Sequence, residues 1–477
     1  MNEKQLRWQN IAMMAFVTVW GLGNVVNNFA QQGLTVVTSW VLIMIFYFVP
    51  YALSVGQLGS TFKESGGGVS SWIKETSTTK LAYYAAWTYW IVHIPYLAQK
   101  PQGILVALSW LFKGNGNFVN TVDSKIVSLI CLIIFLLFLW IASKGLTTLK
   151  VIGNMAGTAM FVMSLLFILL AVSAPSLRGA VVATPDMGSL ATYIPKFDFA
   201  YLTTISMLVF AVGGCEKISP YVNNTHNPSK EFPKGMIVLA AMVAICALLG
   251  SVAMGMLFDA NNIPEDLMVN GAYQAFEKLG AHYGVGNLFL ILYAIANSMA
   301  QVSALAFSID APLKILLADA DPDYIPASLS KVNAKGTPVN GYIFTGVLVT
   351  ILIIVPSLGM GNMNELFKWL TNLNSVVMPM RYLWVFLAYM WINKYANRFQ
   401  SDYKLVKNAT FGYIIGLWCF LFTAFACLLG MVPKVSYTDQ PKEWLFQLVL
   451  NISTPIVLLA LGMIMPAIAR RNKKTLN

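Results

Sequence analysis

This 477-residue sequence contains few charged residues, and only 11% of its residues are Asp, Glu, Lys or Arg. Soluble domains carry about 25% charged residues. Apolar residues make up 57% of the chain, and its mean hydropathy is +0.65. This composition excludes an ordinary soluble domain and indicates a protein that lies in a lipid bilayer.

Cysteine and histidine are also scarce, with five and three residues respectively. Every cysteine lies inside an apolar run, which indicates small core residues and no disulfide framework. The sequence contains no His-Glu-x-x-His and no Gly-x-Ser-x-Gly pattern, and its cysteines and histidines are not closely spaced. We therefore expect no metal, no cofactor and no enzyme activity.

Basic residues outnumber acidic ones by 31 to 20, which gives a net charge of +11. They lie between the apolar runs and do not form one solvated face, so the charge does not indicate a nucleic-acid partner. The expected partners are the lipid bilayer and a small-molecule substrate. No feature of the sequence indicates an oligomeric state.

Long apolar runs dominate the chain. A bilayer core of about 30 Å requires about 20 apolar residues per helix, and lipid cannot satisfy an open backbone, so each run is predicted to be a helix. The fold class is therefore predicted to be an all-α polytopic membrane protein with twelve transmembrane helices. The twelve runs are residues 8–30, 36–59, 81–112, 126–142, 151–174, 199–222, 235–258, 284–309, 339–357, 366–392, 409–432 and 444–468.

Lysine and arginine are unevenly distributed over the connections. With the N-terminus inside, twenty of the 31 fall on the inner side and seven on the outer side. Positive loops stay in the cytoplasm, so we predict a cell-membrane protein with both termini cytoplasmic. The longest outer connection, residues 259–283, is amphipathic around residues 272–279, which predicts a segment that lies on the membrane surface.

The first and sixth runs contain paired glycines at matching places. Residues 19–25 read Val-Trp-Gly-Leu-Gly-Asn-Val, and residues 210–216 read Phe-Ala-Val-Gly-Gly-Cys-Glu. Glycine lowers helix propensity, and a broken helix is tolerated in the membrane only where it faces protein or a watery cavity. Matched breaks in two halves of a bundle are typical of transporters with inverted repeats. The alternative is that these glycines only allow close helix packing.

Inverted repeats predict a division of the chain into three parts. Residues 1–174 are expected to form the first repeat with helices one to five, and residues 175–398 the second with helices six to ten. Residues 399–477 are expected to hold helices eleven and twelve and a cytoplasmic tail. An odd number of helices per repeat inverts the second copy relative to the first.

The breaks expose peptide groups with opposite partial charges. Unpaired N–H groups around Gly23, Asn24 and Val25 suit a carboxylate, and carbonyl groups near Trp20 and Phe210 suit an ammonium group. An amino acid carries both groups. The breaks therefore predict an amino acid or a related amine as the substrate.

Several motifs match one family. They are Gly-Leu-Gly-Asn at residues 21–24, Ser-Gly-Gly-Gly-Val-Ser-Ser-Trp at 65–72, the glycine pair before Glu216, Asn-Pro at 227–228, Ile-Pro at 325–326, and Lys-Val-Asn-Ala-Lys-Gly-Thr-Pro at 331–338. Over nearly its whole length the chain resembles the amino acid-polyamine-organocation (APC) superfamily of secondary transporters. Within that superfamily it looks most like the glutamate/GABA antiporter-like branch.

The resemblance implies a leucine-transporter-type fold with a five-plus-five inverted repeat, two discontinuous helices and alternating access. It implies that Phe210 is an aromatic gate over the substrate and that Glu216 takes part in gating or proton coupling. Lys314 departs from the family, which usually has an arginine there. The implied substrate-binding residues are Gly21, Leu22, Gly23, Asn24, Val25, Phe210, Gly213, Gly214 and Cys215.

Lys100 and Arg381 lie deep within predicted spans, and ionisable groups at that depth usually mark a transport pathway. We expect both to act in gating or coupling, with snorkelling to the interface as the alternative for each of them. Lys217 is a candidate to neutralise Glu216. If Lys100 and Arg381 reach the cavity, its positive charge favours an extra carboxylate on the substrate over a polyamine.

These features together predict a secondary active transporter, most simply an exchanger of zwitterionic or acidic amino acids and related amines. A proton-coupled amino acid symporter and a polyamine or amine antiporter are the alternatives. A non-transporting sensor of the same fold is a more distant one. A channel would need a filter built from repeated groups, and the sequence contains no such repeat.

Overall fold

The structure is a computed structural model that describes residues 5–117, 122–144, 146–318, 321–333, 337–359, 363–433, 437–439 and 441–476. Its regular elements within these residues are helices, and β pairing there is limited to one bridge between Leu6 and Thr225. The prediction of an all-α membrane fold is confirmed. It follows from the need of each apolar segment to satisfy its own backbone.

The first half of the chain forms ten α-helices. A π-helical turn, Met44–Phe48, joins α3 to α4, so these two helices make one continuous rod. The helices are α1 (Trp8–Val19), α2 (Leu22–Gln32), α3 (Val36–Ile43), α4 (Val49–Thr61), α5 (Val69–Thr76), α6 (Thr79–Ile91), α7 (His93–Lys113), α8 (Ser124–Ala142), α9 (Leu146–Arg178) and α10 (Phe199–Val212).

The second half continues with a 3₁₀ segment, Cys215–Asn224, and ten further α-helices. A second 3₁₀ turn, Met378–Arg381, joins α16 to α17. The helices are α11 (Pro228–Leu257), α12 (Leu267–Tyr283), α13 (Leu288–Leu317), α14 (Ala327–Ser330), α15 (Val339–Gly359), α16 (Met363–Val377), α17 (Tyr382–Lys394), α18 (Ala409–Gly430), α19 (Pro441–Leu461) and α20 (Ile464–Leu476).

Nine helical stretches within the described residues are long and apolar enough to cross a membrane. The first of them, Trp8–Thr61, is 54 residues long and covers two of the predicted spans. The predicted third span, residues 81–112, folds as α6 and α7 with a turn at Val92 between them. The count of twelve spans stays a prediction.

Apolar side chains on the outside of the bundle identify the surface that faces lipid. On α8 the exposed residues recur every three or four positions, which is one stripe of a helix. Exposure of such an apolar stripe to water is unfavourable, whereas its contact with lipid tails is favourable. The stripe on α8 consists of Ile126, Leu129, Ile133, Leu137 and Trp140.

One end of the bundle is closed by contacts between distant segments. Leu6 pairs with Thr225, and the backbone N–H of Trp8 donates to Oε2 of Glu231 at 2.8 Å. Deeper at this end, the buried Asp310 forms an ion pair of 2.8 Å with Lys314. It also accepts hydrogen bonds of 2.6 and 2.7 Å, which are donated by the hydroxyls of Tyr221 and Tyr342.

The amphipathic segment 272–279 packs against other helices of the bundle, and its place on the membrane surface stays a prediction. It belongs to α12, whose apolar face packs against α2 and α13 and buries Tyr273, Phe276 and Leu279. The ring of Phe276 stacks on Tyr293 of α13 with 4.7 Å between their centroids. An amphipathic pattern fits a bundle face as well as an interface, and α12 covers the cavity described next.

Candidate functional site

The first helix is broken where the sequence predicts it. α1 ends at Val19 and α2 begins at Leu22, with Trp20 and Gly21 extended between them. The backbone N–H groups of Gly21, Leu22 and Gly23 find no acceptor within the described part of the chain. These groups lie at the positive end of the α2 dipole, so they suit an anionic ligand group.

The sixth helix is broken at the second glycine pair. α10 ends at Val212, Gly213 is extended, and the 3₁₀ segment starts after Gly214. Gly214 has φ +117°, and a Cβ there would lie 3.2 Å from the carbonyl oxygen of Thr18. Glycine is therefore required at position 214 both by the backbone and by the close approach of the first break.

Asn24 holds the two breaks together. Its side-chain Nδ2 donates to the carbonyl of Val19 at 2.9 Å and to the carbonyl of Ala211 at 3.0 Å. These two carbonyls end the first half of each broken helix, so one amide satisfies an orphan acceptor on both. The breaks consequently lie side by side.

A cavity of about 160 Å³ opens between the breaks and extends to α12. From the first break it is lined by Trp20, Gly21 and Gly23, and from the sixth by Phe210 and Gly213. The ring of Phe210 meets that of Tyr96 edge-on, with 6.4 Å between centroids. Other lining residues come from α7, α12 and α13, including Tyr96, Gln99, Lys100, Met268, Tyr273, Asn297 and Gln301.

Gly21 and Gly23 differ from the glycines of the sixth break. A Cβ at either position would meet no protein atom within 4 Å, and neither residue has a positive φ. A Cβ at Gly213, in contrast, would overlap the hydroxyl of Tyr382. Close packing therefore explains why glycine occupies position 213, in agreement with the alternative that the paired glycines allow helices to pack closely. It does not explain Gly21 and Gly23, whose missing side chains leave room in the cavity.

Two lysines line the cavity, and both lie close to the ring of Tyr96. Nζ of Lys100 donates to Oε1 of Gln301 at 3.0 Å and lies 4.7 Å from the ring centroid of Tyr96. Nζ of Lys217 donates to Oγ of Ser308 at 3.0 Å and lies 5.1 Å from the same centroid. Among the described residues neither ammonium group has a carboxylate within 4 Å, and the cavity lining contains no Asp or Glu.

Arg381 also reaches the cavity, but its charge is already paired. Its Nε lies 2.9 Å from Oε1 of Glu216, and both side chains are at most 1% exposed. Glu216 also accepts hydrogen bonds from the hydroxyls of Tyr51 and Tyr89, the latter at 2.8 Å. Arg381 and Glu216 therefore offset each other, and the basic residues of the cavity lining that lack an acidic partner among the described residues are Lys100 and Lys217.

The suggestion that Lys217 neutralises Glu216 is wrong. Arg381 forms that ion pair, because the 3₁₀ turn Met378–Arg381 packs against the sixth helix and carries the guanidinium to the carboxylate. Lys217 is directed to α13 instead. A 3₁₀ segment has about 3.0 residues per turn, so its adjacent residues point about 120° apart. Glu216 and Lys217 therefore have different partners.

The structure brings together seven of the predicted site residues around the cavity. Leu22 and Val25 are buried away from it, although the N–H of Leu22 belongs to the free set at the break. Tyr96 and Gln301 carry no sequence signal that separates them from core residues. The seven residues that line the cavity are Gly21, Gly23, Asn24, Lys100, Phe210, Gly213 and Arg381. The five that do not line it are Leu22, Val25, Gly214, Cys215 and Glu216.

Comparisons with known proteins agree with this geometry. The family described as amino acid permease matches residues 6–454. The aspartate/glutamate permease AcaP of Lactococcus lactis subsp. cremoris (strain MG1363) is 65% identical over 99% of this chain and 97% of its own length. A glutamate/gamma-aminobutyrate antiporter of Lactococcus lactis subsp. lactis (strain IL1403) is 24% identical over 89% of this chain and 83% of its own length.

A solved structure has the same fold. The structure of MhsT in complex with L-phenylalanine aligns with a TM-score of 0.63 at 16% identity, and it covers 89% of this chain and 99% of MhsT. At this identity the likeness concerns the fold alone. It confirms the predicted leucine-transporter-type architecture with its discontinuous helices.

Proposed function

This chain belongs to the amino acid permease family and is an amino acid transporter, not an enzyme, and from this premise we propose that its substrates are aspartate and glutamate. The substrates in the names of the two relatives support this proposal. The observation that carries it is the pair of lysines, Lys100 and Lys217, without carboxylate partners in a cavity that has no acidic lining. A second carboxylate on the substrate would compensate this charge, whereas a polyamine would be repelled.

The substrate would be held at its three charged groups. Its α-carboxylate would accept hydrogen bonds from the free N–H groups of Gly21, Leu22 and Gly23. Its α-ammonium would donate to the carbonyl of Trp20, which accepts no hydrogen bond within the described residues, whereas the carbonyl of Phe210 is taken by Gly213. Its side-chain carboxylate would then face Lys100 and Lys217, and Phe210 would cover the site.

Replacing Lys100 or Lys217 by methionine should separate acidic from neutral substrates. We expect the KM for aspartate and glutamate to rise about tenfold or more, because a hydrogen bond to a charged group contributes about 1.5–3 kcal/mol. Competition by asparagine and glutamine should change little. The measurement is uptake of labelled aspartate into proteoliposomes, with each unlabelled amino acid as competitor.

Lys74→Met is the matched control, because Lys74 is exposed at the end of α5 and does not line the cavity. It should leave every KM unchanged. If the Lys100 and Lys217 variants lose affinity for acidic and neutral amino acids equally, these two residues support the structure and do not select the side chain of the substrate.

We propose further that transport is exchange by alternating access. The empty cavity holds two lysine side chains without a carboxylate partner. Enclosing an ammonium group without its counter-charge in a low-dielectric site costs several kcal/mol. A bound dicarboxylic amino acid supplies the missing negative charge. The loaded transporter should therefore change sides more readily than the empty one, which favours antiport over symport.

Counterflow in proteoliposomes tests this exchange. Vesicles loaded with unlabelled glutamate should take up labelled glutamate much faster than empty vesicles. Vesicles that contain the Lys74→Met variant should show the same difference in uptake as vesicles with the unmodified protein. Uptake into empty vesicles that is equally fast, and driven by a pH gradient alone, would contradict exchange and support a proton-coupled symporter.

The repeat boundaries and the orientation are part of the same proposal. Residues 1–174 and 175–398 would form the two inverted repeats, with residues 399–477 outside them. The matched breaks after Val19 and Val212 support this division. The excess of basic residues in the inner connections supports a cytoplasmic location of both termini.

A further inference from the structure

A groove of about 650 Å³ lies on the surface of the protein, away from the substrate cavity. It is formed where α17 ends and α18 begins, and it shares no residue with the substrate cavity. Its walls are the segment from Asn393 to Arg398, together with Ala409, Thr410 and Tyr413 of α18.

The groove is positively charged. Lys394 and Arg398 are exposed in its wall, and neither has a carboxylate within 4 Å among the described residues. Asp402 is the one acidic residue in the sequence between positions 393 and 410. Ser229 and Lys63 donate hydrogen bonds to it, at 2.5 and 3.0 Å, and they lower the pKa of its carboxyl group. Asp402 is therefore engaged elsewhere and does not neutralise the groove.

The start of α18 adds backbone donors to the groove. This helix is 22 residues long, and the side chain of Asn408 caps it by accepting from the N–H of Phe411 at 3.0 Å. The N–H groups of Ala409 and Thr410 have no acceptor in the part of the chain that the structure describes. Two cationic side chains and a positive helix end thus converge on one space, which is the chemistry of a phosphate site.

An apolar stripe leads away from the groove along α18. Its residues are exposed and recur at helical spacing, so they face lipid tails. Tyr395 and Tyr413 lie at the groove end of the stripe, where aromatic side chains mark the membrane interface. The stripe consists of Phe411, Ile414, Trp418, Leu421, Phe425 and Leu428.

We propose that this groove binds the phosphate headgroup of an anionic phospholipid, whose acyl chains lie along the stripe on α18. A free phosphate ion would match the charge but not the apolar stripe, which continues directly from the site. The groove lies at the same end of the bundle as the N-terminal segment, because Ser229 contacts Asp402 and Glu231 contacts Trp8. That end is predicted to be cytoplasmic, where bilayers carry anionic lipids that attract basic segments.

Thermal unfolding of the full chain in detergent, with added short-chain lipid, tests this site. Dioctanoyl phosphatidylglycerol should raise the Tm of the unmodified protein, because a ligand that binds the folded state stabilises it. Dioctanoyl phosphatidylcholine and glycerol 3-phosphate should raise it much less. In the double variant Lys394→Gln/Arg398→Gln the apparent affinity for phosphatidylglycerol should fall about tenfold or more, since both basic side chains attract the anionic headgroup.

The matched control is Lys404→Gln/Lys407→Gln, which removes the same charge from exposed positions outside the groove. It should keep the response to phosphatidylglycerol. Native mass spectrometry, which counts bound lipids directly, should find one phosphatidylglycerol fewer on the groove variant than on the control. An unchanged count and affinity in the groove variant would overturn the proposal. Equal stabilisation by glycerol 3-phosphate would also overturn it, in favour of a free-anion site.

Discussion

Replacing Gly23 by leucine is expected to abolish substrate binding while the protein still folds. A Cβ at this position would meet no atom of another element within 4 Å, and Gly23 lines the cavity, so we expect the leucine side chain to project into it. It would occupy the space beside the free N–H groups of Gly21 and Gly23, where the substrate carboxylate is proposed to bind. Loss of two such charge-assisted hydrogen bonds predicts a fall in affinity of about a hundredfold or more.

Binding is best measured by thermal shift with aspartate, because the same experiment reports the Tm of the free protein. Gly188→Leu is the matched control, since a Cβ at Gly188 also meets no atom within 4 Å and this glycine lies outside the cavity. The control should keep its response to aspartate. A Gly23→Leu variant that binds aspartate normally would remove the assignment of the carboxylate to the first break.

Replacing Arg381 by methionine is expected to destabilise the protein by about 3–5 kcal/mol, because it leaves the carboxylate of Glu216 buried without its counter-charge. The double variant Arg381→Met/Glu216→Gln should recover part of this loss, since it removes both charges. The free energy of unfolding in detergent is the quantity to compare. Such a recovery would show that Arg381 and Glu216 interact energetically and so link the sixth helix to the turn between α16 and α17. The predicted gating role of Arg381 and Glu216 requires this link.

The exposed ion pair of Lys63 and Asp402 serves as the control for this cycle. Its side chains are 44% and 59% exposed, with 3.0 Å between Nζ and Oδ2. Such pairs contribute little because water screens them and the side chains lose mobility. Lys63→Met should therefore leave stability almost unchanged. The stability losses of the single variants Arg381→Met and Glu216→Gln are compared with that of the double variant. If the two single losses add up to the double loss, the contact between Arg381 and Glu216 does not couple the sixth helix to the turn between α16 and α17.

The two breaks illustrate what could be predicted from local sequence. Gly21, Gly23, Gly213 and Gly214 weaken a helix wherever they occur, and an apolar run fixes the membrane as the surroundings. Helix propensity depends on residues within a turn or so of each position. For this reason the all-α class and the position of both breaks followed from the sequence.

The partners of the buried charges could not be predicted in the same way. The sequence makes the neighbouring Lys217 a candidate to neutralise Glu216, whereas the structure pairs Glu216 with Arg381, which lies far along the chain. Lys217 reaches Ser308 on α13. Likewise, the packing of the amphipathic segment within α12 against α2 and α13 has no signal in the local sequence. Each of these contacts depends on which helices become neighbours.

The sequence by itself determined that this protein is a bundle of membrane helices with two matched interruptions, and that basic residues lie within its spans. Only the tertiary structure decided that Lys100 and Lys217 share one cavity near Tyr96 while Arg381 is neutralised by Glu216. The physical reason is the distance along the chain over which each kind of interaction acts. A helix and its break arise from the free energies of adjacent peptide groups, whereas the net charge of a cavity is a sum over side chains that separate helices bring together.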